Sequence, residues 1–250
     1  MNKKPKKRRL DLLLLDRRLV ESRERARSLI MAGRVLADGQ KVTKPGTSLA
    51  MDASVAVTEQ APYVSRGGVK LAHALEQFAI DPQGLTALDV GASTGGFTDC
   101  LLQQGARRVY ALDVGRGQLD HRLRQDPRVV VMEKVNAHHP FPLPEKIALV
   151  TIDVSFISVT KVIPNLLEHL TKPSYIIALV KPQFEAKRSE VGKGGIIKDT
   201  RVHARVIGRV ILWAIKAGLR LRSLTPSPIL GTEGNREFFL LLEFNEYAPS

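Results

Sequence analysis

Three glycines and an aspartate fall within one short stretch of the chain, Asp89-Val-Gly-Ala-Ser-Thr-Gly-Gly96. An apolar run precedes this stretch and a helical pattern follows it. This order predicts a strand, a glycine-rich turn and a helix N-terminus whose backbone N–H groups can face a ligand. The stretch lacks both the Gly-Lys-Ser/Thr of a phosphate loop and the dinucleotide spacing G-x-G-x-x-G. A carboxylate at Asp89 would repel a pyrophosphate but would suit a cationic ligand, such as the amino group of S-adenosylmethionine. An ordinary tight turn between strand and helix is the alternative interpretation.

Further charged side chains follow the later apolar runs. Strand and helix patterns alternate through the second half of the chain, which predicts a parallel sheet covered by helices on both faces. Three of the runs end in Asp113, Asp153 and Lys181, so these side chains should meet at the sheet edge where open α/β folds bind ligands. Asp113 follows Asp89 at the separation at which a nucleotide-binding fold places a carboxylate on ribose hydroxyls. Asn136 follows another run, where it could contact an adenine edge or simply form a turn.

Two charged residues lie outside this pattern of strand ends. Lys70 stands near the start of a helical segment, on the side away from the apolar stripe of that helix, and is expected to face solvent. Glu237 opens the last apolar run and is either a solvated strand end or a partner for the lysines. The residues alone also allow Lys181 and Asp153 to form a purely structural ion pair.

The composition indicates a basic protein with a sizeable core and a polyanionic partner. The 250 residues are 44% hydrophobic and carry a formal net charge of +13. Residues 1–58 hold 14 of the 38 Lys and Arg residues but only 6 of the 25 Asp and Glu residues, so the positive charge is concentrated there. The single Cys100 excludes an internal disulfide framework and fits a reducing compartment. No apolar run reaches the roughly 18 residues of a membrane span, so a soluble cytoplasmic protein is expected.

The first 58 residues predict a small α+β module preceded by a basic tail. The tail, residues 1–9, is expected either to be a disordered, solubilising segment or to order on RNA. A short helix over Leu10–Arg18, a second helix capped by Ser22 and a hairpin turning at Asp38-Gly39 then make up a domain over residues 10–58.

This module resembles the RNA-binding module first described in a small-subunit ribosomal protein and also carried by pseudouridine synthases and tyrosyl-tRNA synthetases. The strings that carry the resemblance are Ser22-Arg-Glu-Arg-Ala-Arg-Ser-Leu-Ile, Gly33-Arg-Val, Asp38-Gly and Lys44-Pro-Gly. The resemblance implies that structured RNA is bound through its phosphates. The basic face that would bind it comprises Arg23, Arg27, Lys41 and Lys44.

Residues 59–67 are interpreted as a linker and residues 68–250 as a second domain, and the chain as a whole resembles the TlyA family. The strings that carry this resemblance are Tyr63-Val-Ser-Arg-Gly-Gly, Asp89-Val-Gly-Ala-Ser-Thr-Gly-Gly-Phe-Thr, Asp113-Val-Gly-Arg-Gly-Gln-Leu, Asp153-Val-Ser-Phe-Ile-Ser, Leu179-Val-Lys-Pro-Gln-Phe-Glu185 and Gly234-Asn-Arg-Glu-Phe-Phe239. The resemblance implies an α/β fold. A small α+β RNA-binding domain would be joined to an FtsJ-like, Rossmann-like class I methyltransferase domain with a mostly parallel seven-stranded sheet.

The resemblance also implies a reaction, the 2′-O-methylation of a cytidine ribose in ribosomal RNA, with S-adenosylmethionine as cofactor and no metal required. Matched residue by residue, the family's Lys-Asp-Lys-Glu catalytic tetrad falls on Lys70, Asp153, Lys181 and Glu237. We expect Lys181 to take the proton of the ribose hydroxyl while Lys70 favours its neutral form, although the sequence does not decide between the two lysines. The expected cofactor contacts are Asp89, Gly91, Ser93, Gly95, Gly96, Phe97, Asp113 and Asn136. Arg66 is expected to join the RNA contacts.

Alternatives for the target and for the function class stay open at this point. Longer family members have an additional final helix, which is absent from this sequence. The resemblance links the shorter form to the large ribosomal subunit, so that subunit is the expected target, while the basic N-terminus leaves both subunits open. A membrane-active, haemolysin-like protein is a second class, and it would need membrane-length or strongly amphipathic segments. A non-catalytic protein that binds ribosomal RNA is a third class, and it would have no need of the four tetrad residues together.

Overall fold

The computed structural model describes residues 7–58 and 62–245 and divides the chain into two compact units, residues 1–61 and residues 62–250. Residues 1–6 of the predicted basic tail and residues 59–61 of the predicted linker lie outside the described residues. Each unit has its own buried core. In the part of the chain that the structure describes, no helix is long and apolar enough to cross a membrane.

The N-terminal unit combines two short helices with small antiparallel sheets. Its elements are β1 (Lys7–Arg9), α1 (Leu10–Asp16), α2 (Arg23–Met31), β2 (Val35–Ala37), β3 (Gln40–Val42), β4 (Ser48–Ala50) and β5 (Val55–Val57). One sheet has the order β3-β2-β5, and β1 pairs with β4. The buried core joins both helices to β2 and consists of Leu10, Leu14, Ala26, Ile30 and Val35.

Two local signals in this unit act as the sequence predicts. The side chain of Ser22 accepts the backbone N–H of Arg25 at 3.1 Å and so caps α2. Asp38 and Gly39 have φ angles of 48° and 77°, the positive values that a two-residue turn between antiparallel strands requires.

Two other predictions for this unit are wrong. Residues 7–9 form a strand rather than part of a disordered tail, because their backbone pairs with β4 from Lys7 opposite Ala50 onwards. The first helix ends at Asp16 rather than Arg18, and Arg18 adopts a left-handed φ of 56° that no right-handed helix can contain.

The second unit is an α/β domain built on a seven-stranded sheet. Its strands are β6 (Thr86–Val90), β7 (Arg108–Asp113), β8 (Val129–Glu133), β9 (Ile147–Ile152), β10 (Leu170–Val180), β11 (Arg220–Pro226) and β12 (Phe238–Phe244). Its α-helices are α3 (Arg66–Phe78), α4 (Gly96–Gln103), α5 (His121–Gln125), α6 (Pro182–Glu185) and α7 (Thr200–Lys216). Short 3₁₀ segments cover Val159–Lys161, Ile163–His169, Arg188–Glu190 and Lys193–Gly195.

The strand order is β11-β12-β10-β9-β6-β7-β8. Strands β6 to β10 run parallel, whereas β12 is antiparallel to both β10 and β11. From β6 the chain first builds outwards through β7 to β8 and then returns to place β9 on the other side of β6. Open α/β sheets bind ligands at such a reversal, outside the carboxyl ends of the strands. The two largest buried clusters of this unit contain alternating residues of the same strands, so the sheet is covered on both faces.

The predicted strands and helices of this unit are confirmed, with differences at their ends. Strand β10 begins at Leu170, ahead of the apolar run from Tyr175 to Val180 that predicts this strand, and its pairing with β9 shifts register between Leu170 and Tyr175. The polar residues in that interval interrupt the apolar run, which is why the sequence pattern misses it. Helix α3 begins at Arg66, inside the segment 59–67 that the sequence assigns to a linker.

Candidate active site

Four charged side chains from distant parts of the sequence line one cavity of about 420 Å³: Lys70, Asp153, Lys181 and Glu237, called the tetrad here. Strands β9 and β10 are parallel neighbours, so Asp153 and Lys181, which follow them, emerge at the same sheet edge. Strand β12 runs antiparallel to β10 and starts opposite its last residue, so Glu237, just before β12, reaches that edge as well. Lys70 comes from the second turn of α3.

The tetrad forms two ion pairs that differ in exposure. Lys70 Nζ lies 2.5 Å from Glu237 Oε2, and the two side chains are 9% and 4% exposed. Lys181 Nζ lies 2.7 Å from Asp153 Oδ1, and these side chains are 12% and 23% exposed. Lys181 Nζ also donates to Ser155 Oγ at 2.9 Å. One pair is therefore closed off from solvent, and the other is partly open.

The prediction that Lys70 faces solvent is wrong. The buried face of α3 is broader than its apolar stripe and also takes in Gly68, Lys70 and Ala74. Lys70 and Ala74 are four residues apart and so share one face of the helix. A buried ammonium needs a partner, and Glu237, 167 positions further along the chain, provides it. Helical periodicity cannot reveal a partner at that separation.

The glycine-rich loop between β6 and α4 forms a wall common to two cavities. Gly91 has a φ of +84°, and a Cβ there would lie 2.3 Å from the backbone oxygen of Asp153, so no larger residue fits. Gly96 opens α4 close to the start of α3, where a Cβ would lie 2.2 Å from Ser65 Oγ. Gly91, Ser93 and Asp153 line both the tetrad cavity and a second cavity of about 350 Å³.

The second cavity combines apolar walls with a few polar groups. Its apolar lining includes Val114, Val135, Ala137 and Ile157. Asp113 also lines it, and its two carboxylate oxygens accept the backbone N–H groups of Ser93 at 2.8 Å and Gly115 at 2.7 Å. An ionised carboxylate offers about four acceptor positions, so Asp113 keeps capacity for a ligand. Asn136 lines the cavity too, while its Oδ1 accepts the N–H of His138 at 3.0 Å, the turn role that the sequence allowed.

Two residues predicted to contact a cofactor line neither cavity. The expectation that Asp89 faces the turn is wrong, because this residue is completely buried. Its carboxylate accepts hydrogen bonds from Thr98 Oγ1 at 2.7 Å and Thr151 Oγ1 at 3.1 Å. Burial raises the pKa of the Asp89 carboxyl to about 7, although the threonine hydroxyls act in the opposite direction. Asp89 therefore joins β6 to α4 and β9 beneath the loop. The space that a side chain at Gly95 would need is filled by Leu123, since a Cβ there would lie 2.2 Å from Leu123 Cδ1.

The structure brings the other predicted residues of this unit to the cavities. Besides the tetrad, the first cavity is lined by the predicted residues Arg66, Gly91, Ser93, Gly96 and Phe97. Sequence reasoning missed Ser65 and Thr232, which line the same cavity, and the guanidinium of Arg66 donates to Thr232 Oγ1 at 3.3 Å. Single hydroxyls in loops follow no periodic pattern, so the sequence contains no signal that would find them.

An exposed aromatic side chain beside the second cavity was also missed. Phe156 is 88% exposed, has a left-handed φ of 64°, and its ring centroid lies 5.0 Å from that of Phe184. Positive φ is rare for a bulky residue. Because this conformation presents the ring of Phe156 to solvent, it favours a binding role for that ring over a packing role. An aromatic residue in the short segment between Asp153 and Ser158, directly after a predicted strand end, is the one sequence signal that could have identified it.

The N-terminal unit presents all four of its predicted RNA contacts to solvent. The exposed side chains are Arg23, Arg27, Lys41 and Lys44. Arg23 has a second role, because its Nε lies 3.1 Å from Oδ2 of Asp11, a buried carboxylate that Arg9 contacts at 2.8 Å. Hydrogen bonding to Arg9 and then to Arg23 lowers the pKa of Asp11 to about 2. Arg23 therefore also stabilises the fold of this unit.

Both units match known protein families. The family described as FtsJ-like methyltransferase matches residues 63–244, and the S4 domain matches residues 8–53. A protein of Mycobacterium tuberculosis named 16S/23S rRNA (cytidine-2′-O)-methyltransferase TlyA is 43% identical over 238 residues, 94% of this chain and 89% of that protein. Hemolysin A of Brachyspira hyodysenteriae is 42% identical over 233 residues, 92% of this chain and 97% of that protein.

Solved structures agree with these matches. The structure described as "Putative hemolysin from Streptococcus thermophilus" is 41% identical with a TM-score of 0.74, covering 97% of this chain and 90% of that one. A SAM dependent methyltransferase from Aquifex aeolicus is 17% identical with a TM-score of 0.51, covering 72% of this chain and 94% of that one, and it shares the fold of the second unit. The predicted fold class is confirmed. The chain belongs to the TlyA family, in which an S4 domain precedes an FtsJ-like methyltransferase domain.

Proposed function

We propose that the chain transfers a methyl group from S-adenosylmethionine to the 2′-hydroxyl of a cytidine ribose in ribosomal RNA. The observation that carries the proposal is the meeting of the tetrad in one cavity that shares Gly91, Ser93 and Asp153 with a second, apolar-walled cavity. The relative from Mycobacterium tuberculosis, which is named for this reaction, supports the choice of substrate. The large ribosomal subunit is the proposed target, and modification of both subunits is the alternative.

The second cavity has the chemistry that an adenosine group requires. Its apolar walls can cover a flat ring, and the carboxylate of Asp113 has acceptor capacity for ribose hydroxyls. Asn136 stands at the same cavity, where its amide nitrogen can donate to a base. S-adenosylmethionine would supply a methyl group that is already activated on a sulfonium. The protein must therefore only align the attacking hydroxyl and remove its proton.

The partly open ion pair suits the proton acceptor. Lys181 Nζ takes the proton of the 2′-hydroxyl, and Asp153 Oδ1, 2.7 Å away, stabilises the ammonium that forms. The hydrogen bond to Ser155 Oγ fixes the direction of the amine. Lys70, held by Glu237, lines the same cavity as a second amine.

Residues in both units are proposed to contact the RNA. In the N-terminal unit, Arg27, Lys41 and Lys44 bind phosphates of ribosomal RNA or of the assembled subunit, a sequence-independent contact that supplies affinity. In the second unit, Arg66 lines the tetrad cavity and suits a phosphate next to the target. The exposed ring of Phe156 suits stacking on an unpaired base, the usual way in which proteins read single-stranded RNA.

The proposal is tested by mapping ribose methylation in ribosomal RNA from cells that lack the gene. Cells supplied with the wild-type gene should regain a 2′-O-methylcytidine that the deletion strain lacks. Cells supplied with the Lys181→Ala variant should not regain it. Identical ribose methylation in the deletion strain and in the complemented strain would exclude this substrate.

A further inference from the structure

A contact outside both cavities connects the two loops that carry the partly open ion pair. Glu185 ends α6, four residues after Lys181. Its Oε2 accepts the hydroxyl of Ser158 at 2.5 Å, and its Oε1 accepts the backbone N–H of Val159 at 2.8 Å. The segment that leads from Asp153 to Val159 is therefore attached at its far end to the segment that follows β10.

The Asp153–Ser158 loop depends on attachments of this kind. The loop starts from β9, where the backbone N–H of Asp153 donates to Val90 O at 2.9 Å. Ser155 and Phe156 in its middle are exposed. Their described contacts run to the same segment after β10: Ser155 Oγ to Lys181, and the Phe156 ring to Phe184. Glu185 fixes the end of this loop at two points.

Helix α6 needs the contact equally. It comprises only the four residues Pro182–Glu185, far below the length at which a helix is stable by itself. The carboxylate of Glu185 is partly buried, and burial raises its pKa, an effect that the bonds from Ser158 and Val159 oppose. The contact thus holds two short segments of low intrinsic stability in one fixed relation, and those segments carry Asp153 and Lys181.

We infer that Glu185 is a positioning residue for methyl transfer, which sets the Asp153–Ser158 loop against Lys181 from outside the cavities. The inference rests on the proposed function. Glu185 lines neither cavity, so it acts through the loop and not on the substrate. Its role needs two hydrogen bonds at fixed places rather than a negative charge. A glutamine can still accept from Val159, and its amide nitrogen can donate to the hydroxyl oxygen of Ser158.

The test compares steady-state methylation of unmodified ribosomal RNA by the full-length wild-type protein with methylation by the variants Glu185→Ala, Glu185→Gln and Ser158→Ala. Glu185→Ala should lower kcat about 10- to 100-fold, since small misplacements of reacting groups cost that much, while the Kd for S-adenosylmethionine by calorimetry stays within about 2-fold. Glu185→Gln should stay within about 3-fold of the wild-type kcat, and Ser158→Ala should fall between the two.

Glu145→Ala is the matched control. Glu145 pairs with Arg107 and Arg108 just before β9, at the opposite edge of the sheet from the tetrad, so its removal tests a general loss of stability. It should lower the melting temperature and leave kcat unchanged. A wild-type kcat in Glu185→Ala, or a kcat in Glu185→Gln as low as that in Glu185→Ala, would overturn the inference. If Glu185→Ala fails to fold, an unchanged kcat in Ser158→Ala would overturn it. An inactive wild-type protein would instead count against the proposed function.

Discussion

The two ion pairs of the tetrad have the same residue types but different surroundings. Lys70 and Glu237 are held between a helix and the start of β12 and are almost completely buried. Lys181 and Asp153 follow two parallel strands and are more exposed, and Lys181 also donates a hydrogen bond to Ser155. Burial makes a paired charge hard to neutralise, because either partner alone would be left uncompensated. We therefore assign a fixed charge to the first pair and proton transfer to the second.

The largest expected difference between the pairs concerns activity. Lys181→Arg keeps a cation next to Asp153 but cannot release its proton, because an arginine side chain stays protonated in proteins. Methyl transfer should fall about 10²- to 10⁴-fold, the usual contribution of a general base. The measurement is single-turnover transfer of a radiolabelled methyl group to unmodified ribosomal RNA. The Kd for S-adenosylmethionine should remain within about 3-fold of wild type, and substantial activity in Lys181→Arg would remove Lys181 from the role of base.

The second expected difference concerns stability. Lys70→Met leaves the carboxylate of Glu237 buried without a counter-charge, which should cost about 3–5 kcal/mol of unfolding free energy. Lys181→Met leaves Asp153 partly exposed to water and should cost clearly less. Urea unfolding followed through the fluorescence of Trp213, the single tryptophan and part of α7, reports on this unit. Equal losses in the two variants would contradict the distinction between a closed and an open pair.

A third variant separates binding from the chemistry of both pairs. Asp113→Ala removes the carboxylate that holds the backbone at Ser93 and Gly115 and that lines the second cavity. The affinity for S-adenosylmethionine should fall about 10- to 100-fold, the usual range for hydrogen bonds to a charged group. At saturating cofactor, the rate of transfer should be close to wild type because the tetrad is intact. Unchanged affinity by calorimetry would count against the cofactor assignment of this cavity.

The last expected effect concerns pH dependence and comes from Asp89, a buried carboxylate whose described hydrogen bonds come from two threonine hydroxyls rather than from a lysine. Its pKa is raised to about 7 in the folded protein, so the folded state binds the proton more tightly than the unfolded state. Stability should therefore fall as the pH rises from about 4 to about 7. The Asp89→Asn variant cannot ionise at this position and should lose this part of the pH dependence. The measurement is thermal unfolding of both proteins between pH 5 and pH 8, a window of roughly ±1–2 units around that pKa. Parallel stability curves for variant and wild type would contradict the buried, protonatable state.

The sequence predicted the parts of the site that follow from strand ends. Asp113, Asp153 and Lys181 each end an apolar run, and a parallel sheet must bring such residues to one edge. The pairing of Lys70 with Glu237 depends instead on helix packing and on an antiparallel strand. The residues alone left Glu237 as either a solvated strand end or a partner for the lysines, and the family resemblance placed it with Lys70.

Side-chain orientation and exposure were less predictable from the sequence, because they depend on the neighbours that each residue has in the folded structure. Asp89 stands in the expected place in the chain, yet its side chain turns beneath the loop to Thr98 and Thr151. The exposure of Phe156 follows from a left-handed backbone that no local pattern announces. The short strand at residues 7–9 forms only because β4 lies next to it, although its basic composition is typical of a disordered tail.

The most direct test of the central claim is the identity of the methylated atom. Unmodified ribosomal RNA is incubated with the wild-type protein and S-adenosylmethionine, digested to nucleosides and analysed by mass spectrometry, with the Lys181→Arg variant in parallel. The account predicts 2′-O-methylcytidine in the wild-type reaction and none above background in the variant. Methylation on a base, or equal ribose methylation by both proteins, would contradict it.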